Sequence, residues 1–228
     1  MEDQPINISC FDINGIYNEE GIVDKGKNFL NLDSPIRILN LYTTENLVQN
    51  LKKIETEDNY ITRFSFTQKF EKKKTISVNC DVLSNFSVSH QSTFDSNGYI
   101  IFCDLGKKTT LELLDKIVNY INENCSIYIK TYIVGVFKDN IDEDKTYDKM
   151  REFLNNFELE WDFEYYEMFL GDKNKIQEIQ KIHKNANDMN EVFKNIFFEM
   201  WKGGKLERYK KNSNFRDGME DRSLCILI

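Results

Sequence analysis

The sequence predicts a three-layer α/β domain built on a mostly parallel sheet with one antiparallel edge strand. Three patterns carry that prediction. Residues Tyr99 to Asp104 and Ile129 to Phe137 are near-continuous apolar runs, as expected of strands buried on both faces. Between them, Leu111, Leu114, Ile117, Val118 and Ile121 recur at helical spacing, so the stretch reads as a strand, a crossover helix and a parallel strand. Ahead of it, Ile61 to Phe70 and Thr75 to Val82 alternate around the charged turn Glu71 to Lys74, which reads as an antiparallel hairpin.

In chain order, residues 1–35 read as an N-terminal extension. A short strand over Ile6 to Ile13 fits there, but the polar stretch Asn14 to Lys27 follows and Pro35 closes the section. Ile36 to Tyr42 reads as a buried strand. Thr43 or Thr44 then caps a helix beginning at Glu45, with Leu47, Leu51 and Ile54 on one face. Glu55 to Asn59 is a polar loop, and Asn85 to Asn97, rich in Ser and Asn, is another. After the central unit, Met150, Phe153, Leu154 and Phe157 fall at helical spacing, and Phe163 to Leu170 reads as a strand ended by Gly171. The stripe Val192, Phe193, Ile196, Phe197, Met200 and Trp201 predicts a last helix stopped by Gly203-Gly204. The predicted organisation is therefore an extension (1–35), a domain (36–202) and a flexible tail (203–228).

Composition excludes several function classes. A chain of 228 residues with a net charge of −8 lacks the cationic surplus that non-specific phosphate binding needs, so nucleic acid is not an expected partner. No segment approaches the roughly 18 consecutive apolar residues of a membrane span, which predicts a soluble body. The five cysteines are odd in number and lack paired spacing. Cys10, Cys80 and Cys103 lie in apolar runs and read as free buried thiols in a reducing, cytosolic compartment. The acidic start Met1-Glu2-Asp3 is not a secretory signal. His90 and His183 stand far apart, without Cys or carboxylate at ligand spacing, so neither a metal centre nor a Cys-His pair is expected.

Three further stretches, in order, suggest a family. Gly98-Tyr-Ile-Ile-Phe-Cys-Asp-Leu105, Ile133-Val-Gly-Val-Phe-Lys-Asp139 and Asn185-Ala-Asn-Asp-Met-Asn-Glu-Val-Phe193 resemble the fourth strand, the strand entering the guanine-specificity motif, and the start of the last helix of Ras-superfamily small GTPases. The likeness is strongest to the Rab and Ras branches and covers roughly 36–202. It implies a small-GTPase-like fold of the P-loop NTPase type, with GTP or GDP and Mg²⁺ as cofactors if the nucleotide site works.

The motifs that would do the chemistry depart from the family's pattern. Its phosphate loop is G-x-x-x-x-G-K-[ST], whose glycines let backbone N–H groups approach phosphate. Only Tyr42, Thr43 and Thr44 separate Leu41 from Glu45, with neither glycine nor lysine. Gly21-Ile-Val-Asp-Lys-Gly26-Lys27-Asn28 has the spacing, with Asn in the last place. Tyr17 to Glu20 before it is not a buried strand, and Pro35 soon follows, so phosphate binding is not expected there. The D-x-x-G becomes Asp81-Val-Leu-Ser84, and Asn85 stands where the family has the Gln that orients the attacking water. Thr62 is the candidate switch threonine. The base-reading N-K-x-D becomes Val136-Phe-Lys-Asp139, in which Asp139 alone keeps its chemistry. Each unpaired polar edge of a buried base costs roughly 1–3 kcal/mol. Asp139, Asp81 and Thr62 are thus vestigial nucleotide contacts, and no catalytic residue is assigned.

The chain ends Cys225-Ile-Leu-Ile228, a C-a-a-X pattern in which Cys225 would be prenylated. Six basic residues (Lys205, Arg208, Lys210, Lys211, Arg216 and Arg222) against four acidic ones between 203 and 222 add a modest attraction for anionic lipid. The combined expectation is a lipid-anchored protein on the cytosolic face of a membrane, with a cytosolic pool. It would act as a pseudo-GTPase through a switch-like surface, residues 55–70 and 84–97, on effector or regulator proteins. The alternative is a divergent working GTPase switch that uses Asp139, Asp81, Thr62 and Lys27.

Overall fold

Ile6, Ile8 and Cys10 project to one side of strand β1 (Ile6–Asp12) and Phe11 to the other, and all four are buried. A strand apolar on both faces belongs inside a sheet, and β1 lies between two parallel neighbours. The protein is described here by a computed structural model covering residues 5–12, 35–55, 61–70, 74–83, 96–105, 114, 130–137, 152–154, 163–182 and 186–217.

The elements after β1 are α1 (Pro35–Glu45), β2 (Gln49–Glu55), β3 (Ile61–Phe70), β4 (Lys74–Leu83), β5 (Gly98–Asp104), β6 (Lys130–Phe137), β7 (Phe163–Phe169), α2 (Ile176–Ile182), β8 (Ala186–Asp188) and α3 (Met189–Asp217). The strands form one eight-stranded sheet in the order β2-β3-β4-β1-β5-β6-β7-β8. Pairing is parallel from β4 to β8 and antiparallel on both sides of β3. The architecture is therefore α/β with a mostly parallel sheet and an antiparallel margin, as expected. The one inverted strand, β3, is not at the edge, because β2 adds a strand outside the hairpin.

Two cores lie on opposite faces of the sheet. On one, α1 and α3 deliver Ile38, Leu39, Tyr42, Val192, Phe193, Ile196 and Phe197 onto Phe64, Phe66 and Phe102. Aromatic rings dominate there: Tyr42 and Phe193 have centroids 4.6 Å apart, and Tyr42 and Phe197 5.8 Å. On the other face Phe11, Leu83, Ile101, Ile133 and Phe169 meet Leu114, Leu154 and, from α2, Ile176 and Ile179. Cys10, Cys80 and Cys103 are buried. The Sγ atoms of Cys10 and Cys80 lie 3.1 Å apart, and hydrogen bonding between them, then burial, raises the Cys80 thiol's pKa well above its usual range.

Three expectations need correction. Residues 6–12 are a central strand, so 1–35 is not an extension and the domain does not begin at 36. Residues 36–42 are helical rather than a strand. Pro35 opens α1 at the helical position where its missing N–H costs nothing, and Ile38, Leu39 and Tyr42 then share one buried face. Finally, α3 does not stop at Gly203-Gly204 but runs to Asp217, so residues 203–217 are helical. Two glycines cost about 1 kcal/mol each in a helix, whereas Lys205, Leu206, Glu207, Arg208, Lys210 and Lys211 are all good helix formers that favour continuation. Residues 218–228, including Cys225, lie outside the described residues.

Candidate functional site

The C-terminal ends of β4, β1, β5 and β6 stand side by side, at Leu83, Asp12, Asp104 and Phe137. After β1 the chain returns on one side of it as β4, whereas after β5 it returns on the other side as β6. In open α/β sheets ligands bind outside the carboxyl ends of strands where the connections diverge, here at β1 and β5. The segment that leaves β1 there is residues 13–34, and it contains Gly21 to Asn28 with Lys27. That segment lies outside the described residues, as does Asp139, two positions beyond the end of β6. The chain context of Gly21–Asn28 differs from the expected one. A buried strand does precede it, ending at Asp12, and a helix does follow it, from Pro35.

Asp81 lies on β4, two residues before its end, opposite Arg63 of β3. The guanidinium donates from Nε to Asp81 Oδ1 at 2.6 Å and from Nη2 to Oδ2 at 2.7 Å. Both carboxylate oxygens are thus engaged by a fork-shaped cation, a geometry matched to carboxylate. The hydrogen bonds, then the charge of Asp81, raise the pKa of Arg63, so the guanidinium stays cationic. Asp81 is 12% exposed and Arg63 48%, so the carboxylate is the more desolvated partner and depends on the pair.

Thr62 is buried and pairs with Val82, which packs in the aromatic-rich core. Successive residues of a strand point to opposite faces, so Thr62 and Asp81 lie on opposite sides of the sheet. They cannot ligate one ion together. Nor are Thr43 and Thr44 free caps, because both sit in the last turn of α1. Thr43 Oγ1 donates to the carbonyl oxygen of Leu39 at 2.9 Å, and Thr44 Oγ1 to that of Asn40 at 2.8 Å. Tested against Mg²⁺ and a triphosphate, the described residues do not fit: one carboxylate is committed to arginine and the threonine faces the other core. No group of three His, Cys, Asp or Glu suited to a metal occurs among the described residues.

Sequence reasoning missed Arg63. The signal was present, since Arg63 and Asp81 are equidistant from Lys72 at the hairpin's turn and carry opposite charges. Beside this pair runs a polar row that was also not anticipated. Ser65 Oγ donates to Asn79 Oδ1 at 2.8 Å, and Asn79 Nδ2 donates to Asn7 Oδ1 at 3.0 Å, linking β3, β4 and β1. Asn97 closes it, accepting from the Asn7 N–H at 2.8 Å. Of the switch-like surface, 56–60 and 84–95 lie outside the described residues. Most of the described part is β3, an inner strand flanked by β2 and β4.

No protein-family model matches this chain, and no curated protein matches it. No helix among the described residues is long and apolar enough to cross a membrane.

Proposed function

We propose that this chain is a Ras-superfamily-like, prenylated membrane-associated module of signalling or trafficking that acts by protein–protein contact rather than by hydrolysing GTP. The observation that carries the reading is the bidentate Arg63–Asp81 pair, with Thr62 on the opposite face of the sheet. In a working switch these two residues would share one Mg²⁺, and an Asp81 paired with Arg63 and a Thr62 on the other face argue against that. Effector or regulator proteins are the expected partners, and Cys225 supplies the lipid anchor.

A second reading is a nucleotide-binding switch that uses Gly21–Asn28 with Lys27, and Asp139 for the base. It is favoured by β1, which ends ahead of that stretch at the sheet's divergence point. Purification with Mg²⁺, nucleotide analysis after denaturation, and titration with labelled GTP separate the two. The first reading expects no guanine nucleotide released and no binding at micromolar concentration. Micromolar binding abolished by Lys27→Ala would replace it with the second. Membrane fractionation of Cys225→Ser tests the anchor independently, with loss of pelleting expected and unchanged pelleting removing it.

A further inference from the structure

The described sheet has a long open margin at β2. Among the described residues β2 pairs with β3 alone, and every residue from Gln49 to Ile54 is exposed. Its apolar side chains are not covered: Leu51 is 47% and Ile54 49% exposed. Between them stand Lys52 and Lys53, both exposed. Neither has an ion-pair partner among the described residues, and Lys53 only overhangs the Phe64 ring, 5.8 Å from its centroid. Their cross-strand partners are Ser65 for Lys52 and Phe64 for Lys53, so the two cations project to opposite faces of the sheet. Ile54, opposite Arg63, shares the face of Lys52.

An open ladder edge is a template for another strand, and its charges decide which strand fits. A second copy is the rival occupant: antiparallel self-pairing centred on Lys52 or Lys53 sets lysine against lysine, and only the register centred on Ile54 would set Lys53 against Glu55. A register shift between Gln49 and Lys52, where Asn50 has φ 55°, further limits self-pairing to the segment beyond it. An acidic strand has the opposite character. Consecutive carboxylates would reach one lysine on each face, and flanking aliphatic residues would cover Leu51 and Ile54. We propose that β2, through Lys52 to Glu55, is a docking edge for an acidic, aliphatic-flanked extended segment of a partner protein. This inference is independent of nucleotide binding and of the lipid anchor.

The test uses the full-length, isotope-labelled protein and a capped peptide with a central Glu-Glu pair between Val residues, with a Lys-Lys pair in the same place as control. The Glu peptide should shift the amide resonances of 49–55 and of the paired residues 62–67, and added salt should weaken the effect. The double substitution Lys52→Glu and Lys53→Glu, at exposed positions, should lower affinity roughly tenfold. The proposal is overturned if the Glu peptide leaves the β2 resonances unmoved, or if the Lys peptide binds as well. Concentration-dependent self-association through β2 would also overturn it, in favour of a second copy.

Discussion

Asp81 illustrates how one contact redirects a residue. As a metal ligand it would need an open coordination side, whereas both of its oxygens accept from Arg63. Asp81→Asn should lower stability by about 1 kcal/mol in chemical denaturation, since a half-exposed guanidinium is screened by solvent. It should leave any nucleotide retention unchanged. Mg²⁺-dependent binding lost in this variant would reassign Asp81 to a metal. Tyr132 presents the opposite case. Its ring is buried between strand and helix, with the Lys130 ammonium 5.4 Å from its centroid, yet its hydroxyl finds no hydrogen-bond partner among the described residues. Burying an unpaired hydroxyl is unfavourable, so Tyr132→Phe should stabilise the protein by up to about 1 kcal/mol, read as a higher denaturation midpoint. Neither effect was legible in the sequence, where Tyr132 is one of several aromatics in an apolar run.

At the scale of elements, α1 shows why a short apolar run misleads. Ile36 to Tyr42 fits a buried strand or about two turns of a buried helix, and periodicity alone does not separate the two. Pro35 and the back-bonded Thr43 and Thr44 settle it as a helix. The end of α1 carries strain: Leu47 has φ 45°, a left-handed conformation that suits glycine, and is 86% exposed. Leu47→Gly should therefore raise stability by about 1 kcal/mol, because little packing is lost while the left-handed residue is relieved. An unchanged or lower midpoint would mean that Leu47 packs in solution. The start of α3 is secured differently. Asp188 Oδ1 accepts from the N–H groups of Asn190 at 2.7 Å and Glu191 at 3.0 Å. Asn46 Nδ2 ties the ends of the two helices by donating to Asn190 Oδ1 at 2.6 Å.

For the molecule as a whole, the centre of the sheet depends on β1. Deleting residues 1–12 should abolish cooperative unfolding, because β4 and β5 would each lose a parallel neighbour and both cores would lose side chains. A deletion protein that melts like the full chain would restore the extension reading. Alkaline pH probes the same cores. Burial, the largest cause in each case, raises the phenol pKa values of Tyr42, Tyr132 and Tyr166 above their ordinary value. In each pair of states the folded phenol holds its proton to higher pH than the unfolded one. The stability they contribute is thus fully present below pH about 10 and is lost as pH rises beyond it. Denaturation midpoints should be flat from neutral to mildly alkaline pH for these groups and fall above about 10, less steeply in a variant carrying Tyr42→Phe.

By itself the sequence determined the α/β fold class. Continuous apolar runs at 99–104 and 129–137 imply parallel strands covered on both faces, and alternation around the Glu71–Lys74 turn implies the hairpin. Those patterns are local, and local physics sets them. What only the tertiary structure decided was which apolar run occupies the centre. Residues 6–12 and 36–42 look alike as short buried stretches, and their places depend on partners far away in the chain: Ile8 lies opposite both Cys80 and Gly98. Partner choice is a long-range property, fixed when strands from distant segments bury complementary faces together. It also set Asp81 and Thr62 on opposite faces of the sheet.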